Sequence, residues 1–182
     1  RKEGLSLFAE RGFPTLRDED WRFTSVAPIA KLPFNPVSQY FPGSLPLKSI
    51  QRFTFGEMKC NHMVFVNGHY ADDLSSVYSR VDGVKMGSLA AAMTGEAAMV
   101  ERHLARYAQC DPNVFAALNT AFFGDGAFIL IPPGKIVEEP IHLLFISSSC
   151  ETGATAHPRN LIIAEKESKA EIIERYVSLQ PS

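Results

Sequence analysis

The fold is decided by residues 124–149, "GDGAFILIPPGKIVEEPIHLLFISSS". Two short apolar runs, Ala127 to Ile131 and Ile141 to Ile146, lie on either side of a Pro-Pro-Gly and a polar loop. Two similar runs follow, Asn160 to Ala164 and Ala170 to Val177. Glycine, proline or charged residues separate all four runs. This spacing predicts four short β-strands, with no helix between them long enough for a βαβ crossover.

Two architectures fit these four strands. One is an antiparallel sandwich or jelly roll, and the other is a coiling β-solenoid. The last apolar run has no capping segment after it, although folded monomers normally cover a sheet edge or a coil end. We therefore expect this chain to be the front part of a longer one.

Composition narrows the class of protein. The 182 residues are 46% hydrophobic and 21% charged, which is typical of a globular domain. The formal net charge is −2 and no basic stripe occurs, so we do not expect a nucleic-acid partner. No apolar run approaches the roughly 18 residues of a membrane helix, and no signal peptide opens the chain. We expect a cytoplasmic protein, or one of the plastid stroma if the source is a photosynthetic eukaryote.

Cysteines and histidines are sparse and form no familiar metal motif. Cys60, Cys110 and Cys150 are too far apart for a cluster site, and an odd number argues against a disulfide framework. Cys60 and His62 form a lone C-x-H, which we interpret as structural. Four further histidines show no HExxH or HxH spacing: His69, His103, His142 and His157. Because phosphate loops, GxGxxG and GxSxG are also absent, we predict no catalytic, cofactor-binding or metal-binding residues.

The N-terminus predicts two helices separated by Pro14. Residues 1–13 predict the end of a helix, with Gly12 at its C-terminal end. Its apolar face is expected to contain Leu5, Phe8 and Ala9.

The second helix is predicted to contain the only tryptophan as a core anchor. Thr15 and Asp18 have the spacing of a capping box, and the run of acids from Asp18 suits a first helical turn. Leu16 and Trp21 can then point inward. On this interpretation, Trp21→Ala costs on the order of 3–5 kcal/mol through the cavity it leaves.

The middle of the chain predicts a linking segment and then a hairpin. Residues 28–50 contain five prolines, which favour irregular structure. Met63 to Val66 is predicted as a strand, Asn67-Gly68 as a type I′ turn, and His69-Tyr70 as the return strand, with His69 facing solvent.

Two helical regions precede the strands. Ser88 to Gln109 is rich in Ala, Leu, Met and Glu, and its apolar residues recur at helical spacing. Asp111-Pro112 is predicted to cap a second helix over residues 113–123. That helix is expected to present one apolar face made of Val114, Leu118 and Ala121. We interpret both stripes as core rather than as cofactor contacts.

Four blocks, in this order, resemble the SufB/SufD family of iron-sulfur cluster assembly proteins. "GFPTLRDEDWRFTSVAPIA" (12–30) is similar to the N-terminal signature of that family, and "MVFVNGHY" (63–70) to its hairpin. "FAALNTAFFGDGAFILIPPGKIVEEPIHLLFIS" (115–147) resembles the entry into its core, and "HPRNLIIAEKESKAEIIERYVSL" (157–179) the next turns. The long helical region before the first block is closer to the SufD style.

The resemblance implies an α+β fold. A small N-terminal α/β domain with helices and a hairpin would span residues 1–118, and the first coils of a truncated right-handed parallel β-helix would span residues 119–182. It also implies structural roles for the following residues: Pro14, Thr15, Asp18, Glu19 and Trp21 in the capped helix, Asn67 and Gly68 in the turn, Asn119 in the junction helix, and Gly126, Pro133 and Gly134 at coil corners.

The resemblance also implies a function, that of a non-catalytic, SufD-like scaffold subunit partnering SufB-like and SufC-like proteins. The complex would handle the iron-sulfur cluster, and SufC would bind ATP, so no cofactor is expected in this chain. The SufC-binding region and any cluster ligands are expected downstream of Ser182. The last coil is expected to expose an apolar end that promotes self-association. Its residues are Ile172, Ile173, Tyr176 and Leu179.

A cupin-like metal-binding β-barrel enzyme is the alternative, suggested by the strand, Pro-Gly corner and histidine of residues 126–145. Cupin metal chemistry needs several converging His and Glu ligands. This region offers His142, with Glu138 and Glu139 nearby but no HxH. We therefore favour the scaffold.

Overall fold

A computed structural model describes residues 1–108, 113–148 and 153–179. The helices are α1 (Lys2–Arg11), α2 (Ala27–Ala30), α3 (Leu47–Ile50), α4 (Leu89–Gly95), α5 (Ala97–His103) and α6 (Val114–Phe122). Single 3-10 turns cover Glu19–Trp21, Gln51–Phe53 and Asp72–Leu74. The strands are β1 (Asn35–Pro36), β2 (Asn61–Val66), β3 (His69–Tyr70), β4 (Lys85–Ser88), β5 (Ala127–Ile131), β6 (Ile141–Ser147), β7 (Ala154–Thr155), β8 (Leu161–Ala164) and β9 (Ile172–Ser178). Over these ranges, no helix has the length and apolarity needed to span a bilayer.

The later strands pair in parallel. One sheet has the order β3-β2-β6-β9, in which β6 lies parallel to both β2 and β9. A second sheet has the order β4-β5-β8, in which β5 and β8 are parallel. Antiparallel pairs occur at β2–β3 and β4–β5. The antiparallel sandwich and jelly roll are therefore wrong, and the sheets formed by the described residues are open rather than closed into a barrel.

Two of the parallel pairs, β6–β9 and β5–β8, join residues at nearly the same separation along the chain. Ile141 lies opposite Ile172 in one sheet, and Phe128 lies opposite Leu161 in the other. Between the two sheets, a parallel bridge joins residues 136 and 169 at the same separation as the second pair. Each pass of the chain over this stretch thus adds one strand to each sheet, so the same two sheets grow together.

A single apolar cluster fills the space between the two sheets. It comprises Met63, Phe65, Ala127, Ile129, Ile131, Val137, Ile141, Leu143 and Phe145, none of them more than 5% exposed. The outer faces of both sheets are covered as well. Phe128 and Leu130 pack against residues of α4 and α5, while Leu144 and Ile146 pack beside Ile50 and Leu74. Because both faces are covered, β5 is a continuous apolar run rather than an alternating one.

The predicted strands and hairpin are confirmed. The four apolar runs form β5, β6, β8 and β9, with only small differences at their ends. Asn67 and Gly68 have φ of 49° and 85°, the positive values that a type I′ turn requires. The prediction that His69 faces solvent is wrong. His69 is half-buried, and its Nε2 lies 2.9 Å from the Val37 carbonyl oxygen.

The first predicted helix is confirmed, but its predicted apolar face is only partly correct, since Phe8 alone of the three residues is half-buried, with its ring centroid 5.0 Å from that of Phe13. Helix α1 ends at Arg11, and Gly12 follows with φ of 67°. The buried residue is Gly4, because α1 packs closely on α6. A Cβ at position 4 would lie 2.6 Å from the Ala117 carbonyl oxygen. Leu5 and Ala9 are exposed. The apolar stripe on α1 therefore predicted the wrong contact with α6. The observed contact is made at Gly4, where the lack of a side chain allows the two helices to approach closely.

The predicted second helix is a turn followed by the 3-10 turn Glu19–Trp21. The Thr15–Asp18 contact does form, since the Thr15 amide donates to the Asp18 carboxylate at 2.7 Å. Leu16, however, is 55% exposed. Trp21 is half-buried against Phe115 of α6, with ring centroids 5.1 Å apart. The tryptophan is thus a surface-proximal contact rather than a core anchor.

The remaining helical predictions hold with local changes. Residues 28–50 are mostly irregular but contain α3, β1 and most of α2. The region from Ser88 divides into α4 and α5 at Glu96. Helix α6 is capped by Asn113, whose Oδ1 accepts from two backbone amides, while the predicted Asp111-Pro112 cap lies outside the described residues. Its most buried residues are Ala117 and Thr120 rather than the predicted face. The boundary at 118/119 stays a prediction, and the β2–β6 and β4–β5 pairs cross it.

Candidate functional site

An aromatic column runs across the β2-β6-β9 sheet and ends at Tyr176. Phe65, Phe145 and Tyr176 occupy equivalent positions on the three strands. Their rings stack at centroid distances of 4.8 Å and 4.7 Å, with interplanar angles of 18° and 12°. Tyr176 is 62% exposed, so the last ring of the column is open to solvent. Such a ring is a stacking surface for an aromatic or apolar residue on an added strand.

The backbone of β9 is the other feature of this edge. Within the described residues, β9 pairs on one side, with β6. A strand edge that presents free amide and carbonyl groups can accept a further strand. The predicted exposure of the last coil holds for Tyr176, whereas Ile172, Ile173 and Leu179 are half-buried. Ile172 packs against the central cluster and Leu179 beside the cluster around Ile50.

A buried carboxylate, Asp125, joins the hairpin, α4 and β5. It accepts hydrogen bonds from the Ser88 hydroxyl at 2.8 Å and from the backbone amides of Tyr70, Ala90 and Gly126 at 2.9, 3.0 and 2.8 Å. Four donors satisfy a charged group that would otherwise be expensive to bury. The sequence analysis missed this residue. Its available signal was an acid between two glycines, immediately before a strand too apolar to face water.

The predicted junction residue Asn119 and the predicted corner residue Gly126 lie close to Arg159. The Asn119 side chain donates to the Pro158 carbonyl at 2.8 Å, and the Arg159 guanidinium donates to Asn119 Oδ1 at 3.2 Å. A Cβ at Gly126 would lie 2.0 Å from the Arg159 carbonyl oxygen, so only glycine fits this corner. Gly134 has φ of 69° in the turn after β5. These residues connect α6 to the start of the repeating strands.

His62 forms a contact that its C-x-H spacing did not reveal. Its Nδ1 lies 3.0 Å from Nδ1 of His142, because the two residues face each other across β2 and β6. Residues so distant in sequence carry no local signal of such a pairing.

Cys60 is buried, and burial together with the negative charge of Glu171 raises the pKa of its thiol. It is therefore a protonated thiol at neutral pH.

Both paired imidazoles are neutral at pH 7. Burial lowers the pKa of His62. Burial, with the charges of His62 and Arg175, lowers the pKa of His142 to about 4. His142 is fully buried, and its Nε2 has no hydrogen-bond partner among the described atoms.

The other histidines have separate partners. His157 lies 3.1 Å from the Thr155 hydroxyl, and His103 lies 2.7 Å from the Tyr107 hydroxyl. In the part of the chain that the structure describes, no three His, Cys, Asp or Glu side chains are arranged to hold a metal ion. Cys110 and Cys150 lie outside that part. The prediction that the chain has no catalytic or ligand-binding residues stays a prediction.

A separate apolar groove of about 570 Å³ borders helices α1 and α6. It is formed by α1, α6, the segment around Phe34, and residues 155–157. Its walls include several phenylalanines, and Ile29, Phe34 and Phe122 are all exposed. The groove is therefore an accessible hydrophobic surface next to the predicted N-terminal signature.

Comparison with known proteins identifies the family. Residues 1–143 match the family model described as the SufBD protein N-terminal region. The chain belongs to the SufBD family. The match covers α1 to the start of β6, including the hairpin, the Asp125 junction and the first strands of both sheets.

Individual SufBD relatives come from several lineages. The chain is 30% identical to the iron-sulfur cluster assembly SufBD family protein slr0076 of Synechocystis, over 97% of this chain and 38% of that relative. It is 36% identical to the chloroplastic SufBD family protein ABCI8 of Arabidopsis thaliana, over 50% of this chain and 16% of that relative. It is also 36% identical to the iron-sulfur cluster assembly protein SufB of Bacillus subtilis, over 40% of this chain and 15% of that relative. The chain thus spans about two fifths of the length of the first of these.

Proposed function

We propose that this SufBD chain acts in iron-sulfur cluster assembly as a non-catalytic scaffold of the SufD type. Its partners would be a SufB-like protein and a SufC-like ATPase, which would supply ATP hydrolysis. The observation that carries the proposal is the match of residues 1–143 to the SufBD N-terminal region, together with relatives named for iron-sulfur cluster assembly. Relatives of chloroplast origin favour a plastid stroma or a bacterial cytoplasm as the setting.

The strand arrangement supports a scaffold built as a parallel β-helix. Both sheets grow by parallel strands at nearly the same sequence separation, and the bridge between them repeats that separation. A chain that adds one strand to each of two sheets per pass has the connectivity of a solenoid coil. We propose that the coil is right-handed, as connections between parallel strands almost always are.

We expect the β9 edge to receive a further strand, either the next coil of a longer SufBD chain or a strand from a partner. The β9 edge combines backbone groups paired on one side with the exposed ring of Tyr176. An added strand would gain backbone hydrogen bonds together with stacking on the aromatic column. The cupin-like alternative needs a closed barrel and a converging ligand set. The described residues form open sheets and bring no three metal-ligating side chains together.

Size-exclusion chromatography with Bacillus subtilis SufB, followed by metal analysis of the isolated chain, tests the scaffold role. We expect co-elution with SufB, and neither ATP hydrolysis nor stoichiometric metal in the chain alone. Stoichiometric iron, manganese or zinc without co-elution would contradict the scaffold and favour a metalloenzyme.

Sedimentation velocity tests the edge. We expect the isolated chain to associate as its concentration rises, and Tyr176→Lys to reduce that association because a lysine on an edge strand opposes pairing. Tyr107→Lys is the matched control, since Tyr107 is also exposed but lies in the bend after α5, outside the strands. A monodisperse monomer at high concentration, or an equal effect of both substitutions, would contradict the role of the edge.

A further inference from the structure

The contact between His62 and His142 requires one imidazole to donate a proton to the other. Two unprotonated nitrogens 3.0 Å apart would repel each other, and two protonated ones would clash. A neutral pair therefore holds one Nδ1–H, which donates to the other Nδ1. The pair lies at matched positions on β2 and β6, whose parallel register fixes the two rings relative to each other.

The surroundings decide which ring donates. The positive charge of Arg175 acts on His142, whose buried Nε2 has no hydrogen-bond partner among the described atoms. An unprotonated Nε2 of His142 would place its lone pair near the positive charge of Arg175, which is favourable. A protonated Nε2 would instead be a buried N–H donor without an acceptor, which is unfavourable. His142 therefore carries its proton on Nδ1 and donates it to His62.

The pair also supports the segment that precedes β2. We define residues 51–55 as the strap. The Phe55 ring packs on the His142 ring with centroids 4.7 Å apart. The Phe53 carbonyl accepts a hydrogen bond from Arg175 at 3.1 Å, and the guanidinium lies 5.5 Å from the Phe53 ring centroid. The strap thus contacts His142 through Phe55 and Arg175 through Phe53.

We propose that the His62–His142 pair is a proton-operated latch that holds the strap on the sheet. A proton on His142 Nε2 would place a cation at a fully buried position near Arg175. A proton on His62 Nδ1 would remove the acceptor of the hydrogen bond. Either event opposes the closed arrangement, so acid loosens the strap.

The charged groups around the pair favour release in acid. His62 approaches from β2 and Arg175 from β9, and both oppose a charge on His142. From the strap, the contacting side chain is the uncharged Phe55, while Arg52 lies 4.6 Å from the Phe53 ring centroid. The charged groups that shift the pKa of His142 are His62 and Arg175. No carboxylate of the described residues is among them, so no negative charge there stabilises a protonated His142.

Nitrogen NMR and amide hydrogen exchange on the ¹⁵N-labelled chain test the latch. At pH 7 we expect a scalar coupling between the two Nδ1 atoms, with the proton on His142. Between pH 7 and pH 4 the coupling should weaken as the strap opens more often, and the strap amides should lose protection roughly tenfold or more relative to those of β6, after correction for intrinsic exchange.

Substitutions separate the latch from a general effect of acid. His62→Gln should abolish the coupling and reduce the pH dependence of strap protection. His103→Gln, at a helical site away from the pair, should leave both unchanged. The proposal would be overturned by the absence of coupling at pH 7, by strap protection equal at pH 7 and pH 4 in the unsubstituted chain, or by equal effects of the two substitutions. The titration of the unsubstituted chain is decisive even if His62→Gln does not fold.

Discussion

The central strands and the N-terminal segment differ in what holds each residue in place. All five residues of β5 are buried, and β5 pairs in register with a strand on each side. Over residues 1–34, in contrast, only Gly4 and Val26 are buried. The N-terminal segment packs on α6 mainly through α1 but buries few of its side chains, whereas the strands share backbone pairing and side-chain packing. Stability should therefore be concentrated in the sheets, and substitutions of the same chemical kind should have unequal effects in the two regions.

The carboxylates Asp125 and Asp18 provide the largest expected difference. Asp125→Ala would leave four donors without their acceptor in a buried site, so we expect a loss of about 4 kcal/mol or more in the free energy of unfolding. Asp18→Ala removes an acceptor in an exposed turn and should lower the free energy of unfolding far less than Asp125→Ala. Urea denaturation of both variants measures the difference. Equal losses would show that the Asp125 junction is not a buried network.

Leucines provide a similar test of packing. Leu143 is fully buried between the sheets, so Leu143→Ala should cost about 2–5 kcal/mol through the cavity it leaves. Leu16→Ala, at a residue that is 55% exposed, should change the free energy of unfolding by no more than about 0.5 kcal/mol. The comparison uses the same substitution in both regions. A large loss for Leu16→Ala would mean that the N-terminal segment is packed more firmly than the structure shows.

The strands could be predicted from sequence because their signals are local. A run such as residues 127–131 is too apolar to face water on either side, and proline and glycine mark its end. The Asn67-Gly68 dipeptide likewise determines its own turn. The choice between parallel and antiparallel pairing was not local. It depends on contacts such as Ile141 with Ile172, which the spacing of the strands left open.

The N-terminal faces and the polar contacts could not be predicted for a related reason. The inward position of Gly4 depends on the close approach of α6, so an apolar stripe on α1 alone did not indicate it. Asp125 and the His62–His142 pair acquire their roles from residues distant in sequence. The role of a buried polar residue depends on its partners in the fold, and these partners cannot be identified from the sequence alone.

Acid should weaken the sheets through His142. An unfolded histidine has a pKa near 6.5, whereas the folded pKa of His142 is about 4. The unfolded chain therefore takes up the proton first, and the free energy of unfolding falls as the pH drops from about 6.5 towards 4. The loss should reach up to about 3 kcal/mol. Urea melts at several pH values measure it, and His142→Gln should reduce the dependence. A flat profile over this range in the unsubstituted chain would contradict it.

The smallest expected difference in the free energy of unfolding is between Trp21→Ala and Phe23→Ala. Its ring is half-buried against Phe115, so Trp21→Ala should cost about 1–2 kcal/mol, less than the roughly 3–5 kcal/mol typical of a fully buried aromatic side chain. Phe23→Ala is the matched control, since Phe23 lies nearby in sequence and is 91% exposed, and it should have almost no effect. If urea midpoints of the two variants coincide, Trp21 does not anchor the N-terminal segment. If Trp21→Ala instead costs as much as Leu143→Ala, that segment belongs to the same cooperative core as the sheets.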